Sequence, residues 1–229
     1  MTPDRFEIRD RLSRARVLLL FTPELCGSRD PLAVLAAAAP FVDVVQVRPK
    51  SVGGLQRGPC EARATFEWAR RVLALEAVRE FGILVTVDDR VDVASVLWSE
   101  GLAGVHVGED DMPVAAARAF LGDGPLIGLS THDFDAVLEA EEGPADYLGF
   151  GPVHATSTKG YSNGLGSDAC WIASEAAAKP LFPIGGISSD NAGELARVGR
   201  AAVGSAILGA ADPRAAAQAI RAALEAHDD

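Results

Sequence analysis

The sequence predicts an α/β chain folded as a (β/α)8 TIM barrel. Three observations carry that prediction. Short apolar, β-branched runs alternate with longer Ala-, Arg- and Glu-rich segments about eight times along the chain. The short runs are apolar at nearly every position, as strands are when both faces are covered. No G-x-G-x-x-G follows the first run, so the main rival, an open doubly wound sheet, lacks its usual mark. No linker or composition break divides the chain, so 1–229 reads as a single barrel domain with a short N-terminal extension at 1–15.

The elements follow in order. The extension is rich in Arg, Asp and Glu and has no apolar centre, so it is no secretory signal. The first strand, 17–21 (VLLLF), has the length of a buried strand and is far below the ~20 residues of a membrane helix. A helix at 31–39 and a strand at 43–47 come next. The helix at 61–80 places Phe66, Ala69, Val72, Leu73, Ala77 and Val78 at helical spacing. After the strand at 83–87 comes a helix at 91–99, with Gly101 supplying a left-handed residue past its end. The strand at 104–107 leads to a helix at 113–121, whose Pro113 fits the first turn because no N–H is needed there. The strand at 126–129 precedes a helix at 133–142 closed by Gly143, and the strand at 147–150 precedes a helix at 168–177. The strand at 181–184 is followed by a helix at 190–198, capped by Ser189 or Asp190 and ended by Gly199. After the strand at 201–203, Asp212 caps a last helix, 213–226, behind Pro213.

Composition narrows the function. Lys and Arg total 21 against 32 Asp and Glu, a net charge of −11, which argues against general nucleic-acid binding. Cys26, Cys60 and Cys170 are odd in number and far apart, so neither a disulfide framework nor a zinc site is suggested, and a cytoplasmic location is expected.

Functional groups of such barrels sit at the C-terminal ends of the strands. After the second strand, Gln46, Arg48 and Lys50 are two apart and share one face of an extended chain, an arrangement suited to a polyanion or to a solvated basic patch. Asp88-Asp89-Arg90 and Gly108-Glu109-Asp110-Asp111 follow neighbouring strands. Their carboxylates suit Mg²⁺ together with substrate phosphates, or they cap the helices behind them. Ser130-Thr131-His132 offers hydroxyls for phosphate or for capping. The loop 151–167 carries Thr156, Thr158 and Lys159, and the loop 48–60 is similarly rich in Gly and Pro. Gly185-Gly186 and Gly204-Ser205 follow strands seven and eight, the usual barrel phosphate position, or they form tight turns that need glycine. The mouth thus reads as two anion sites, one metal-assisted and one metal-free, which two phosphorylated substrates would explain. His106 reads as a core residue, His132 and His154 as mouth residues and His227 as solvated. No Ser/His/Asp or Cys/His arrangement is legible in the sequence.

These segments resemble the thiamine phosphate synthase family. QVRPK is similar to its Q-L-R-x-K, VDDR to N-D-R, GVHVGEDDMP to G-V-H-L-G-Q-E-D-L-P, and GLSTH to G-V-S-x-H. ADYLGFGPVHATSTK, PIGGIS and GSAILGAADP are similar to its later motifs, in order, from about residue 43 to the C-terminus. The resemblance implies a (β/α)8 transferase that joins hydroxymethylpyrimidine pyrophosphate to thiazole phosphate, uses Mg²⁺ and releases pyrophosphate by a dissociative substitution. It implies that Gln46, Arg48 and Lys50 hold the pyrophosphate, with Asp88 beside them, and that Asp89 and Asp111 bind Mg²⁺. Ser130 and Lys159 then contact the pyrimidine or the leaving group, and Arg48, Lys50, Ser130 and Lys159 are the catalytic set. Thr156, Thr158, Gly186, Gly204 and Ser205 bind the thiazole phosphate.

The sequence departs from the family at four places. The family Asn is Asp88, which either joins the metal shell or repels pyrophosphate; the family Gln is Glu109; and the aromatic-Pro pair is His154-Ala155. Two alternatives therefore accompany the synthase: a thiazole tautomerase using an acid/base such as His132, and a barrel that binds a phosphorylated ligand without turnover. The expected partners are small phosphorylated substrates, with no nucleic acid and no membrane. Association into homo-oligomers stays open.

Overall fold

The structure, a computed structural model, describes residues 3–49, 59–154 and 164–226. Eight parallel strands form one sheet in the order β7-β6-β5-β4-β3-β2-β1-β8. They are β1 (Val17–Phe21), β2 (Val44–Val47), β3 (Leu84–Asp88), β4 (Gly104–Val107), β5 (Leu126–Thr131), β6 (Tyr147–Phe150), β7 (Leu181–Pro183) and β8 (Ala201–Val203). A parallel bridge from Ile184 to Ala202 joins the two ends of the sheet and closes the barrel.

The helices are α1 (Arg5–Arg14), α2 (Pro31–Ala38), α3 (Pro59–Ala74), α4 (Glu76–Glu80), α5 (Val91–Leu97), α6 (Val114–Leu121), α7 (Phe134–Glu142), α8 (Ser167–Ala176), α9 (Ser205–Leu208) and α10 (Pro213–Glu225). Alternation along the strands produces two apolar layers. Val17, Leu19 and Phe21 of β1 pack outward with Val45, Val47, Val85, Val87 and the helices. Leu18, Val44, Leu84, Leu126, Tyr147, Phe182 and Ala202 fill the barrel's interior.

Helix α1 completes that inner layer. Only two of its residues, Ile8 and Leu12, are buried and apolar, so its sequence alone carries little helical signal. The Asp4 carboxylate accepts from Phe6 N at 2.8 Å and Glu7 N at 3.0 Å, which starts the helix. Ile8, Leu12 and Ala15 then close the N-terminal end of the barrel against Leu18 and Leu84. Asp146 ties the same end together. It accepts from Arg9 Nε at 2.9 Å, Arg118 Nη2 at 2.5 Å and Ile127 N at 2.8 Å.

Four local expectations are corrected. The helix expected at 61–80 is α3 and α4, separated by Leu75 in an extended conformation (ψ 127°). The helix expected at 190–198 is only a 3-10 turn, Ala192–Leu195. There Asn191 Oδ1 accepts from Ser188 N at 2.8 Å and its Nδ2 donates to Gly186 O at 2.9 Å, so the side chain holds a turn in place of a helical start. Gly143 is not left-handed (φ −89°). The Lys179 ammonium takes the helix-end carbonyls instead, donating to Ala140 O at 2.6 Å, Glu141 O at 3.0 Å and Gly143 O at 2.8 Å. Pro113 is the N-cap of α6 and lies just outside the helix. Gly101 (φ 106°) and Gly199 (φ 67°) are left-handed as expected, and Asp212 caps α10 through Ala215 N at 3.0 Å.

Candidate active site

The strand register decides which side chains enter the mouth. Leu20 pairs with Gln46 and Gln46 with Thr86, so these three lie in one row across β1, β2 and β3. Asp88, His106, Gly128 and Tyr147 form the next row through β3, β4, β5 and β6. Strands β3 and β5 run further than expected, so Asp88, Ser130 and Thr131 belong to strands and not to the loops behind them.

Above the floor lies a cavity of about 550 Å³. Gln46, Arg48, Asp88, Asp89, Asp111, Ser130, Gly186, Gly204 and Ser205 all line it, contributed by β2, β3, β5 and the segments after β2, β3, β4, β7 and β8. Lys50, Thr156, Thr158 and Lys159 lie outside the described residues, as do Ala155 and His227. Glu109 is not among the lining residues.

Arg48 and Gln46 meet at one carboxylate. Arg48 Nε donates to Asp88 Oδ2 at 2.7 Å, and Gln46 Nε2 donates to Asp88 Oδ1. Burial pushes the Asp88 carboxyl up, Arg48 and Gln46 oppose that push, and Asp111 nearby reinforces it. Asp89 stands at φ 57°, the one left-handed non-glycine among the described residues. Such a conformation costs on the order of 1–2 kcal/mol for an L-residue and clusters at functional turns. Asp89 N donates to His106 O at 2.8 Å, which fixes the turn against β4. Asp111 Oδ2 accepts from Gly108 N at 2.9 Å, folding the loop back on itself.

Ser130 is oriented from inside the barrel. His106 Nε2 lies 3.0 Å from Ser130 Oγ, and the imidazole is only 8% exposed. His106 was read as a core residue; it is buried, and it also borders the cavity. Its ring packs beside Tyr147 with centroids 5.4 Å apart. A Cβ on Gly128 would stand 2.2 Å from Tyr147 Cζ and 2.4 Å from His106 Nδ1, so only glycine admits both rings. Tyr147 Oη and Thr86 Oγ1 lie buried near each other without a well-formed hydrogen bond, and burial pushes the phenol's pKa up. His132 donates from Nδ1 to Gly151 O at 2.7 Å and lines the cavity. His154 does not line it; its Nε2 sits 3.9 Å from Glu194 Oε2.

After β7 the chain turns through Gly185 (φ 107°) and Gly186 (φ 66°). This leaves backbone without side chains facing the mouth, next to Gly204 and Ser205 on the neighbouring strand end.

The described lining holds one guanidinium, Arg48, against three carboxylates, Asp88, Asp89 and Asp111, or 1 − 3 = −2 in formal charge. Among the described residues no group of three or more His, Cys, Asp or Glu gathers as a metal cage. Two carboxylates on neighbouring strand ends do fit Mg²⁺, which takes one or two carboxylates and completes its shell with water and substrate phosphate. The donor set is therefore right for a metal delivered with a phosphorylated substrate.

Among the residues missed in the sequence are those of the floor: Leu18, Leu20, Tyr147 and Phe182 line the cavity, and Thr86 lies buried in the row beneath. Their signal is the two-residue alternation inside each strand, which marks inward positions once a barrel is assumed.

The chain is similar to known proteins of one family. The family pattern described as thiamine monophosphate synthase matches residues 17–207. A thiamine-phosphate synthase of Saccharopolyspora erythraea is 41% identical over 228 residues, covering 96% of this chain and 98% of that protein. One from Mycobacterium bovis is 40% identical over 223 residues, covering 94% and 97%. The solved structure of a thiamine phosphate pyrophosphorylase from Pyrococcus furiosus superposes with a TM-score of 0.76 at 30% identity, covering 96% of this chain and 98% of that one. A 3-hexulose-6-phosphate synthase, at 20% identity and a TM-score of 0.63, shares the fold.

Proposed function

The chain belongs to the thiamine monophosphate synthase family of transferases, and on that premise we propose how its mouth performs the family reaction. The substrates are hydroxymethylpyrimidine pyrophosphate and a thiazole phosphate. The bond between the pyrimidine methylene carbon and the pyrophosphate oxygen breaks, and its electron pair leaves on the pyrophosphate. The thiazole nitrogen then supplies the pair that forms the new C–N bond. Such a reaction calls for stabilisation of a leaving anion and alignment of two substrates, and it needs no protein nucleophile.

Gln46, Arg48 and Lys50 hold the pyrophosphate, and Asp88 meets it beside them. Asp89 and Asp111 hold Mg²⁺, which when bound offsets the charge gathering on the leaving group. The pyrimidine lies on the floor formed by Leu20, Tyr147 and Phe182. Ser130, oriented by His106, hydrogen-bonds the ring or the leaving oxygen, and Lys159 supplies a second cation. Thr156, Thr158, Gly186, Gly204 and Ser205 hold the thiazole phosphate across the mouth, so the nitrogen faces the methylene carbon. The catalytic unit is the single barrel domain of 1–229, which includes the short N-terminal extension at 1–15. It works in the cytoplasm on small phosphorylated molecules and without nucleic acid. No helix among the described residues is long and apolar enough to cross a membrane.

The observation that carries this reading is the convergence of Arg48, Asp89, Asp111, Ser130, Gly186 and Gly204 on a single cavity. The test incubates both substrates with the protein, with Mg²⁺ and with a chelator, and follows thiamine phosphate and pyrophosphate together. Equal amounts of both products, formed only with Mg²⁺, are expected. Isomerisation of the thiazole alone, or ligand binding with no product under either condition, defeats the proposal.

A further inference from the structure

Asp88 stands where the family motif has Asn. Its two carboxylate oxygens are divided between the two donors assigned to the pyrophosphate: Oδ1 accepts from Gln46 Nε2 and Oδ2 from Arg48 Nε. The contact is well shielded, with side-chain exposures of 30% for Arg48 and 16% for Asp88, while Gln46 is 3% exposed overall. A shielded, charge-assisted bond of this kind is stronger than an exposed surface pair. An arriving pyrophosphate seeks the same donors and meets a third carboxylate beside Asp89 and Asp111.

We propose that Asp88 is a positioning residue that acts as an internal rival of pyrophosphate: it holds Gln46 and Arg48 while the site lacks the anion, yields them to the substrate, and reclaims them as the product departs. This rests on the assignment of Gln46 and Arg48 to the pyrophosphate. An Asn at this position keeps an oxygen to orient one donor and loses the charge that competes. The internal carboxylate thus lowers affinity for both the substrate's pyrophosphate and the free product, and it speeds product exchange.

The test uses inorganic pyrophosphate as probe, with binding measured by calorimetry in Mg²⁺ buffer on the full chain. Four proteins are compared: wild type, Asp88→Asn, Arg48→Ala and the double variant. Asp88→Asn is expected to bind pyrophosphate about tenfold more tightly, a coupling of ordinary size between two ligands of one group. In steady state its KM for the pyrimidine substrate falls and pyrophosphate inhibits it more strongly, while kcat does not rise. In the Arg48→Ala background the same exchange yields a clearly smaller gain, because the charged one of the two contested donors is gone and only Gln46 is left to release. Unchanged or weaker binding by a folded Asp88→Asn overturns the proposal, and so does an equal gain without Arg48, which would mean plain repulsion. Should Asp88→Asn lose its near-ultraviolet dichroism, Asp88→Ser carries the comparison. Arg48→Ala binding pyrophosphate as tightly as wild type instead overturns the pyrophosphate assignment itself, a result distinct from the other two.

Discussion

Replacing Gly128 by alanine adds one methyl group at the most crowded point beneath the mouth. The new Cβ would lie 2.2 Å from Tyr147 Cζ and 2.4 Å from His106 Nδ1, well inside any tolerated contact. Neither ring has room to give. Tyr147 is fully buried, and it packs edge-on against Phe182 at 6.0 Å between centroids. His106 is held by Ser130 at 3.0 Å. Overpacking of a filled core costs about 1–3 kcal/mol. With two rings displaced, the upper part of that range, about 2–3 kcal/mol, is expected. For a chain of this size that lowers the melting temperature by roughly 4–12 °C. Urea unfolding at unchanged m, followed by circular dichroism, measures the cost directly. Turnover should fall as well, because His106 shifts and takes Ser130 with it. Gly193→Ala is the control: no atom lies within 4 Å of its added Cβ, so stability should stay within about 0.5 kcal/mol. If Gly128→Ala matches that control in both stability and turnover, the crowded polar floor is wrong.

Asp89→Ala removes one of the two assigned metal ligands, so kcat/KM should drop at least about a hundredfold at fixed Mg²⁺ while the fold is kept, with a small loss of stability because alanine suits the left-handed turn less well than aspartate; unchanged turnover would remove Asp89 from the metal site. Asp146→Ala leaves Arg9 and Arg118 without their shared, largely buried carboxylate and should cost on the order of 3 kcal/mol in urea titration; a cost below about 1 kcal/mol would make that network ornamental. Cys26 and Cys170 are buried and burial raises both thiols, Cys170 to about 12, so a disulfide reagent should reach two further thiols only after denaturation. The raised Cys170 value also has a sign: the unfolded thiol ionises near its ordinary 9.0 and the native one does not, so its contribution to stability is intact below pH 9 and is lost as pH climbs toward 12. Cys170→Ala should flatten that alkaline loss in melting curves, and an unchanged slope would count against the burial.

Much of the fold was readable because each strand is a short apolar run and each main helix a periodic one. The eight strands were located to within about two residues at either end. What escaped notice depended on distant partners. Helix α1 has a weak apolar face and exists because Ile8 and Leu12 find the barrel's open end. The end of α7 was assigned to Gly143, but Lys179, arriving from the loop before β7, satisfies its carbonyls. The turn at 188–191 looked like a helix start because Ser, Asp and Asn favour caps and turns alike. In the site, charged and hydroxyl residues at strand ends were visible as departures from apolar runs. Tyr147 and Thr86 were hidden within such runs, since inward and outward positions look alike until the register is known. The Asp88 contacts could not be read either, because Gln46 and Arg48 lie about forty residues away and meet it only through the pairing of β2 with β3.

The most direct test of the central claim is a crystal structure with pyrophosphate and Mg²⁺ bound. The expected result places the metal between the pyrophosphate oxygens and the carboxylates of Asp89 and Asp111, with Arg48 turned from Asp88 onto the anion. A pyrophosphate seated at Gly186 and Gly204, with Arg48 still on Asp88 and no metal at either aspartate, would contradict it.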